Sequence, residues 1–103
     1  MARRASTAPP EATLRALVKW LRSEHVPGLV IGGVAASLLG RPRFTRDVDV
    51  LVLLGEDRWQ KFLNAAAKFG FVPRIHNPLA FARRSRVFLL SHKASGVNVD
   101  ISL

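Results

Sequence analysis

The chain has 103 residues, 49% of them hydrophobic and none of them cysteine. That excludes a disordered tail, a disulfide scaffold, a thiolate zinc site and a cysteine nucleophile, and it allows one domain at most. Sixteen Lys and Arg against seven Asp and Glu give a net charge of +9, which points to a polyanionic partner such as nucleic acid, nucleotide or an acidic protein.

Residues 1 to about 8 read as a loose arm, and the chain from there to residue 103 as one domain. Met1-Ala2-Arg3-Arg4 is basic, but no apolar stretch follows it, so no secretory leader is expected. Thr7-Ala8-Pro9-Pro10-Glu11 predicts a helix start, with prolines in the first turn and an acid near the positive end. Leu14, Leu17, Val18 and Leu21 then form an apolar stripe, with Arg15, Lys19 and Arg22 on another face. Pro27-Gly28 ends this helix, and Leu29-Val30-Ile31 predicts a short buried strand. Gly32-Gly33 follows, and Val34 to Leu39 predicts a short helix stopped by Gly40 and Pro42. The uncharged run from Val26 to Gly40 is too short for a bilayer span of about 20 residues. A soluble cytoplasmic protein that makes no use of a membrane is the expectation.

Asp47 to Leu54 is the clearest strand. Val48, Val50, Val52 and Leu54 fall on one face, and Asp47, Asp49, Leu51 and Leu53 on the other. Glu56 and Asp57 open a third helix whose apolar face is Trp59, Phe62, Leu63, Ala66 and Phe69, with Gly70 as its stop. Phe71-Val72 reads as a short strand, Asn77-Pro78 as a turn, and Leu79 to Arg84 as a helical turn. Arg86 to Ser91 and Val97 to Leu103 read as strands joined by a hairpin at Lys93-Ala94-Ser95-Gly96. In the last strand Asn98, Asp100 and Ser102 share a face. The order of elements predicts an α/β (α+β) chain, a small mixed sheet with helices packed on it.

Asp47, Asp49 and Asp100 stand inside otherwise apolar segments, where a carboxylate is costly unless paired or bound to a cation. Asp47 and Asp49 are two apart on a strand and point the same way, about 6.5–7 Å apart along the backbone. If their strand lies beside the last one, Asp100 reaches them from the same face. Carboxylates gathered on one face repel, and a divalent cation neutralises them; oxygen-only ligation suits Mg²⁺ or Mn²⁺. Gly32-Gly33, lacking Cβ atoms, allows close approach of a phosphate at the start of a helix. Taken alone, the glycines are better explained by a tight strand-to-helix turn, and a solvated strand face paired with Arg43 or Arg46 explains the two acids. His25, His76 and His92 read as surface or loop residues outside any metal-ligand spacing or Ser-His pairing. Trp59, Phe62 and Phe69 read as core. Arg83-Arg84-x-Arg86 reads as surface charge or as a grip for RNA phosphates.

The order is more informative than any single motif. A strand runs into Gly32-Gly33, a spacer of residues 34–46 follows, Asp47-Val48-Asp49-Val50 comes next, and Asp100 stands on a later strand. This resembles the DNA polymerase β-like nucleotidyltransferase superfamily. Arg43-Phe44-Thr45-Arg46-Asp47-Val48-Asp49 is similar to the Arg-x-Thr-x-Asp-x-Asp of its minimal, abortive-infection type. The resemblance covers about residues 28 to 103. It implies transfer of a nucleoside monophosphate from a nucleoside triphosphate, ATP by default, to a hydroxyl, with Asp47, Asp49 and Asp100 as catalytic metal ligands. It also implies that Gly32 and Gly33 hold the triphosphate and that Arg43 and Thr45 border the nucleotide. Acceptors consistent with it are RNA such as tRNA, a partner protein or a small molecule. Members of that type often pair with a separate helical partner protein in toxin–antitoxin systems. The alternative is a non-catalytic module that keeps the fold and binds nucleic acid through its charge, or acts as an antitoxin-like interaction protein.

Overall fold

A computed structural model describes residues 9–32 and 47–103. The arm at residues 1–8 and the helix expected at residues 34–39 lie outside the described residues. Helix α1 runs over Pro9–Ser23, with Glu11 near the positive end of its dipole. It closes before Pro27-Gly28, at His25, which takes the left-handed conformation with a φ of 57°. The His25 N–H donates to the Arg22 carbonyl at 3.2 Å and the Val26 N–H to the Leu21 carbonyl at 2.9 Å, the paired bonds of a Schellman closure.

The inward face of α1 is rotated from the expected stripe. Leu17 is buried, but its companions are Thr13 and Trp20, while Val18 is 43% exposed. An indole buries far more apolar area than an isopropyl group, so Trp20 takes the core position. It stacks on Phe62 with ring centroids 4.2 Å apart and on Phe71 at 5.1 Å, and its Nε1–H donates to the Phe62 carbonyl at 3.1 Å.

Among the described residues, five strands form one mixed sheet: β1 (Gly28–Gly32), β2 (Asp47–Val52), β3 (Phe71–Pro73), β4 (Val87–His92) and β5 (Val97–Ser102), in the order β1-β2-β5-β4-β3. The β2–β5 pair is parallel and the other three pairs are antiparallel, so the expected hairpin joins β4 to β5. Helices α2 (Trp59–Ala65) and α3 (Pro78–Ser85) complete the α+β architecture among the described residues. The helix expected to open at Glu56 is divided. Single 3₁₀ segments, Glu56–Arg58 and Ala66–Phe69, flank α2. Gly70 ends the run as expected, with a φ of 87° that favours a residue without Cβ.

Alternation along the strands separates two faces. Val48, Val50, Val52, Phe88, Leu90, Val97, Val99 and Ile101 are buried and join Leu17, Trp20, Trp59, Phe62 and Ala82 of the helices in one core. The opposite face carries Asp47, Asp49, Asn98, Asp100 and Leu89, all half-buried or exposed. The apolar run of β1 is a strand but is not buried: Leu29, Val30 and Ile31 are exposed. Among the described strands β1 lies at the sheet edge, where it has one neighbour instead of two. No helix among the described residues is long and apolar enough to cross a membrane.

Candidate active site

The strand register brings residues from distant parts of the chain into one row across the acidic face. Gly32 pairs with Asp49, Asp49 with Asp100, and Asp100 with Leu89. Directly opposed residues on neighbouring strands point to the same face, with strands about 4.8 Å apart. The parallel β2–β5 pairing therefore sets the Asp49 and Asp100 side chains next to each other. Asp47 stands one pleat away on the same face, opposite Asn98, whose Nδ2 donates to Asp47 Oδ1 at 3.2 Å.

The row has a fifth member. The Arg74 N–H donates to the Leu89 carbonyl at 2.9 Å, extending the β3–β4 ladder one step past Pro73. Its side chain crosses the Leu89 position, and Nη2 donates to Asp100 Oδ1 at 2.5 Å. The two side chains are 25% and 34% exposed, so this ion pair is partly open to water. Burial holds the Asp100 carboxyl above the ordinary carboxylate range. Arg74 pulls it down by charge and hydrogen bonding, and the charges of Asp49 and Asp47 push it up again. Burial wins because β5 is an inner strand with neighbours on both sides.

Arg74 was not among the residues expected at the site. Its approach depends on the β3–β4 and β4–β5 registers together, and nothing next to it in the sequence announces an acidic partner. The arginines that do cluster in sequence go elsewhere. Arg83 Nε lies 3.6 Å from Glu56, the Arg84 guanidinium lies over the Phe81 ring, and that of Arg86 over Trp59. Gly33, Arg43 and Thr45, expected to bind the nucleotide, lie outside the described residues. So does Arg46, whose pairing with the acids was the alternative expectation.

His92 departs from its expected surface position. It is buried on the core side of β4, and burial pushes its imidazole below the ordinary histidine range. Its Nδ1 lies 2.7 Å from Ser95 Oγ and 3.2 Å from Thr13 Oγ1, and the two hydroxyls are 2.7 Å apart. The Val97 N–H donates to Ser95 Oγ at 3.2 Å. This polar cluster ties α1 to the β4–β5 hairpin from the side of the sheet opposite the acids.

No three His, Asp or Glu side chains among the described residues stand in metal-holding geometry. An oxygen of Asp100 is engaged by Arg74 and one of Asp47 by Asn98. The three carboxylates offer hard oxygen donors on one face, and the guanidinium of Arg74 reaches one of them, Asp100, across the Leu89 position. No protein-family model matches the chain, and no curated protein is similar to it.

Proposed function

We propose that this chain is a metal-dependent nucleotidyltransferase of minimal size, moving a nucleoside monophosphate from a nucleoside triphosphate to a hydroxyl. The observation that carries this is the single cross-strand row of Gly32, Asp49 and Asp100, residues that the sequence pattern singles out separately. The resemblance of Gly32-Gly33, Arg43-x-Thr45-x-Asp47-x-Asp49 and Asp100 to that superfamily supports it independently. Asp47 and Asp49 would hold Mg²⁺ or Mn²⁺, with Asp100 as the third carboxylate; all three offer the hard oxygen ligands these ions prefer. The ion, when bound, supplies positive charge to the triphosphate and to the phosphoryl group in transfer. Asp100 takes the proton from the acceptor hydroxyl as its oxygen bonds to the α-phosphorus. The bond from that phosphorus to the bridging oxygen breaks, and pyrophosphate leaves with the electron pair. A carboxyl held above its ordinary range is a better proton acceptor at neutral pH than a free aspartate. Gly32, which pairs with Asp49, would bring backbone without a Cβ toward the phosphates, and the resemblance assigns Gly33, Arg43 and Thr45 to the nucleotide site. RNA is the acceptor class that a net charge of +9 favours, and the cytoplasm holds both substrates.

The test is incubation with labelled ATP, GTP, CTP or UTP, Mg²⁺, total tRNA and host lysate. Label transferred by the wild type and lost in Asp49→Asn supports the assignment. Absence of transfer, with RNA binding that is steep in salt and indifferent to Mg²⁺ and nucleotide, replaces it with the nucleic-acid-binding module. Absence of transfer with tight capture of a small helical protein replaces it with the antitoxin-like one.

A further inference from the structure

Arg74 stands at the acidic row and has no part in the transfer just described. Its backbone is anchored to Leu89, which pairs with Asp100, so its side chain must pass over one strand to reach the acids. It meets Asp100 through a single nitrogen and a single oxygen. A guanidinium is built for two-point contact with a carboxylate, so a one-point, partly exposed pair is easily exchanged. Asp47 and Asp49 share the face, and the guanidinium offsets part of the repulsion among the three carboxylates.

We infer that Arg74 is an internal counter-cation that occupies Asp100 until a divalent ion and a triphosphate arrive together. This rests on the nucleotidyltransferase assignment above and adds the control of its metal site. A divalent ion competes with Arg74 for the Asp100 carboxylate. A triphosphate competes with Asp100 for the guanidinium. Neither competitor alone satisfies both partners of the broken ion pair, whereas the two together do. Metal binding without nucleotide is therefore weak, and each ligand strengthens the other by the same factor. Arg74 is a positioning residue in this arrangement, and after release its guanidinium has a phosphate as its new partner.

The experiment measures Mn²⁺ binding to the full chain by the electron paramagnetic resonance of free Mn²⁺, with and without a non-hydrolysable triphosphate. Arg74→Ala should bind Mn²⁺ alone about tenfold more tightly than the wild type, within the ordinary range for coupled sites, and should lose most of the enhancement by nucleotide. Arg74→Lys keeps the charge without the fork and should fall between the two. Arg83→Ala removes the same charge beside Glu56 and should bind Mn²⁺ like the wild type. An equal gain in Arg83→Ala reduces the effect to net charge and overturns the latch. So does equal Mn²⁺ affinity in the wild type and Arg74→Ala, which leaves the metal site itself standing. Mn²⁺ that binds no variant, with or without nucleotide, overturns the metal site and the latch together. Because the Arg74–Asp100 pair is partly exposed and lies outside the core, the fold should survive each change, and unaltered near-ultraviolet circular dichroism checks this.

Discussion

Asp49 has Gly32 on one side and Asp100 on the other, and its charge contributes to the upward shift of the Asp100 carboxyl. Asp49→Asn should therefore bring that carboxyl part of the way back toward its ordinary range, leaving the larger contribution from burial in place. A carbon-detected titration of the side-chain carboxyls in the metal-free protein reads this directly; an unmoved Asp100 would mean that the two acids do not sense each other. Like charges directly opposed on neighbouring strands cost about 0.2–1 kcal/mol. The same variant should then melt a few degrees higher, about 1–5 °C for a domain of this size, while losing stabilisation by Mg²⁺ with triphosphate. A lower melting temperature would make Asp49 a structural residue.

At the scale of elements, α1 tests which residues face inward. Trp20→Ala removes a buried ring stacked on two others and should cost about 3–5 kcal/mol in urea unfolding, whereas Val18→Ser should lie within about 0.5 kcal/mol of the wild type. The reverse order would restore the stripe read from the sequence. That stripe was drawn through aliphatic residues alone, and it missed an indole and a threonine whose partners are distant in sequence. The strands were more legible, because alternation in β2 and β5 assigns each residue to a face without knowledge of the neighbours. The apolar run of β1 announced a strand but not its place at the edge. The His92 cluster was illegible, since it joins residues 13, 92 and 95 across a helix and a hairpin. It makes a prediction of its own. With its folded pKa below the ordinary 6.5, His92 takes up a proton in the unfolded chain first. Its contribution to stability is thus present above pH 6.5 and is lost as pH falls below that value. His92→Gln should flatten this part of the profile of melting temperature against pH, and an unchanged slope would show that other groups set it.

Across the whole molecule, the three acids and the basic stripe of α1 lie on opposite sides of the sheet. The acids occupy one face, while α1 packs against the other and turns Arg15, Lys19 and Arg22 to solvent. Arg15 is already paired with Glu11 at 2.8 Å, which leaves Lys19 and Arg22 as the better anion contacts on that helix. Much of the candidate site was readable before the fold was known, because Asp47, Asp49 and Asp100 are acids in apolar strands and a hairpin fixes the direction of the last of them. Its internal cation was not, because Arg74 enters over two strand registers. Under the proposed function, the two-sided layout would separate holding a polyanion from acting on a nucleotide. If RNA is held by α1, each lost phosphate contact should lower the slope of log affinity against log salt by about 0.7 for single strands or 0.9 for duplexes. Lys19→Glu with Arg22→Glu should accordingly weaken RNA binding at all sequences and flatten that slope by about 1.5 or more. The same double variant should leave Mn²⁺ and triphosphate affinity unchanged, since neither residue shares a face with the acids. Fluorescence anisotropy of a labelled RNA across a salt series, beside calorimetry with Mn²⁺ and a non-hydrolysable triphosphate, measures both. Loss of triphosphate affinity in step with RNA affinity would show that the two faces act as a single site.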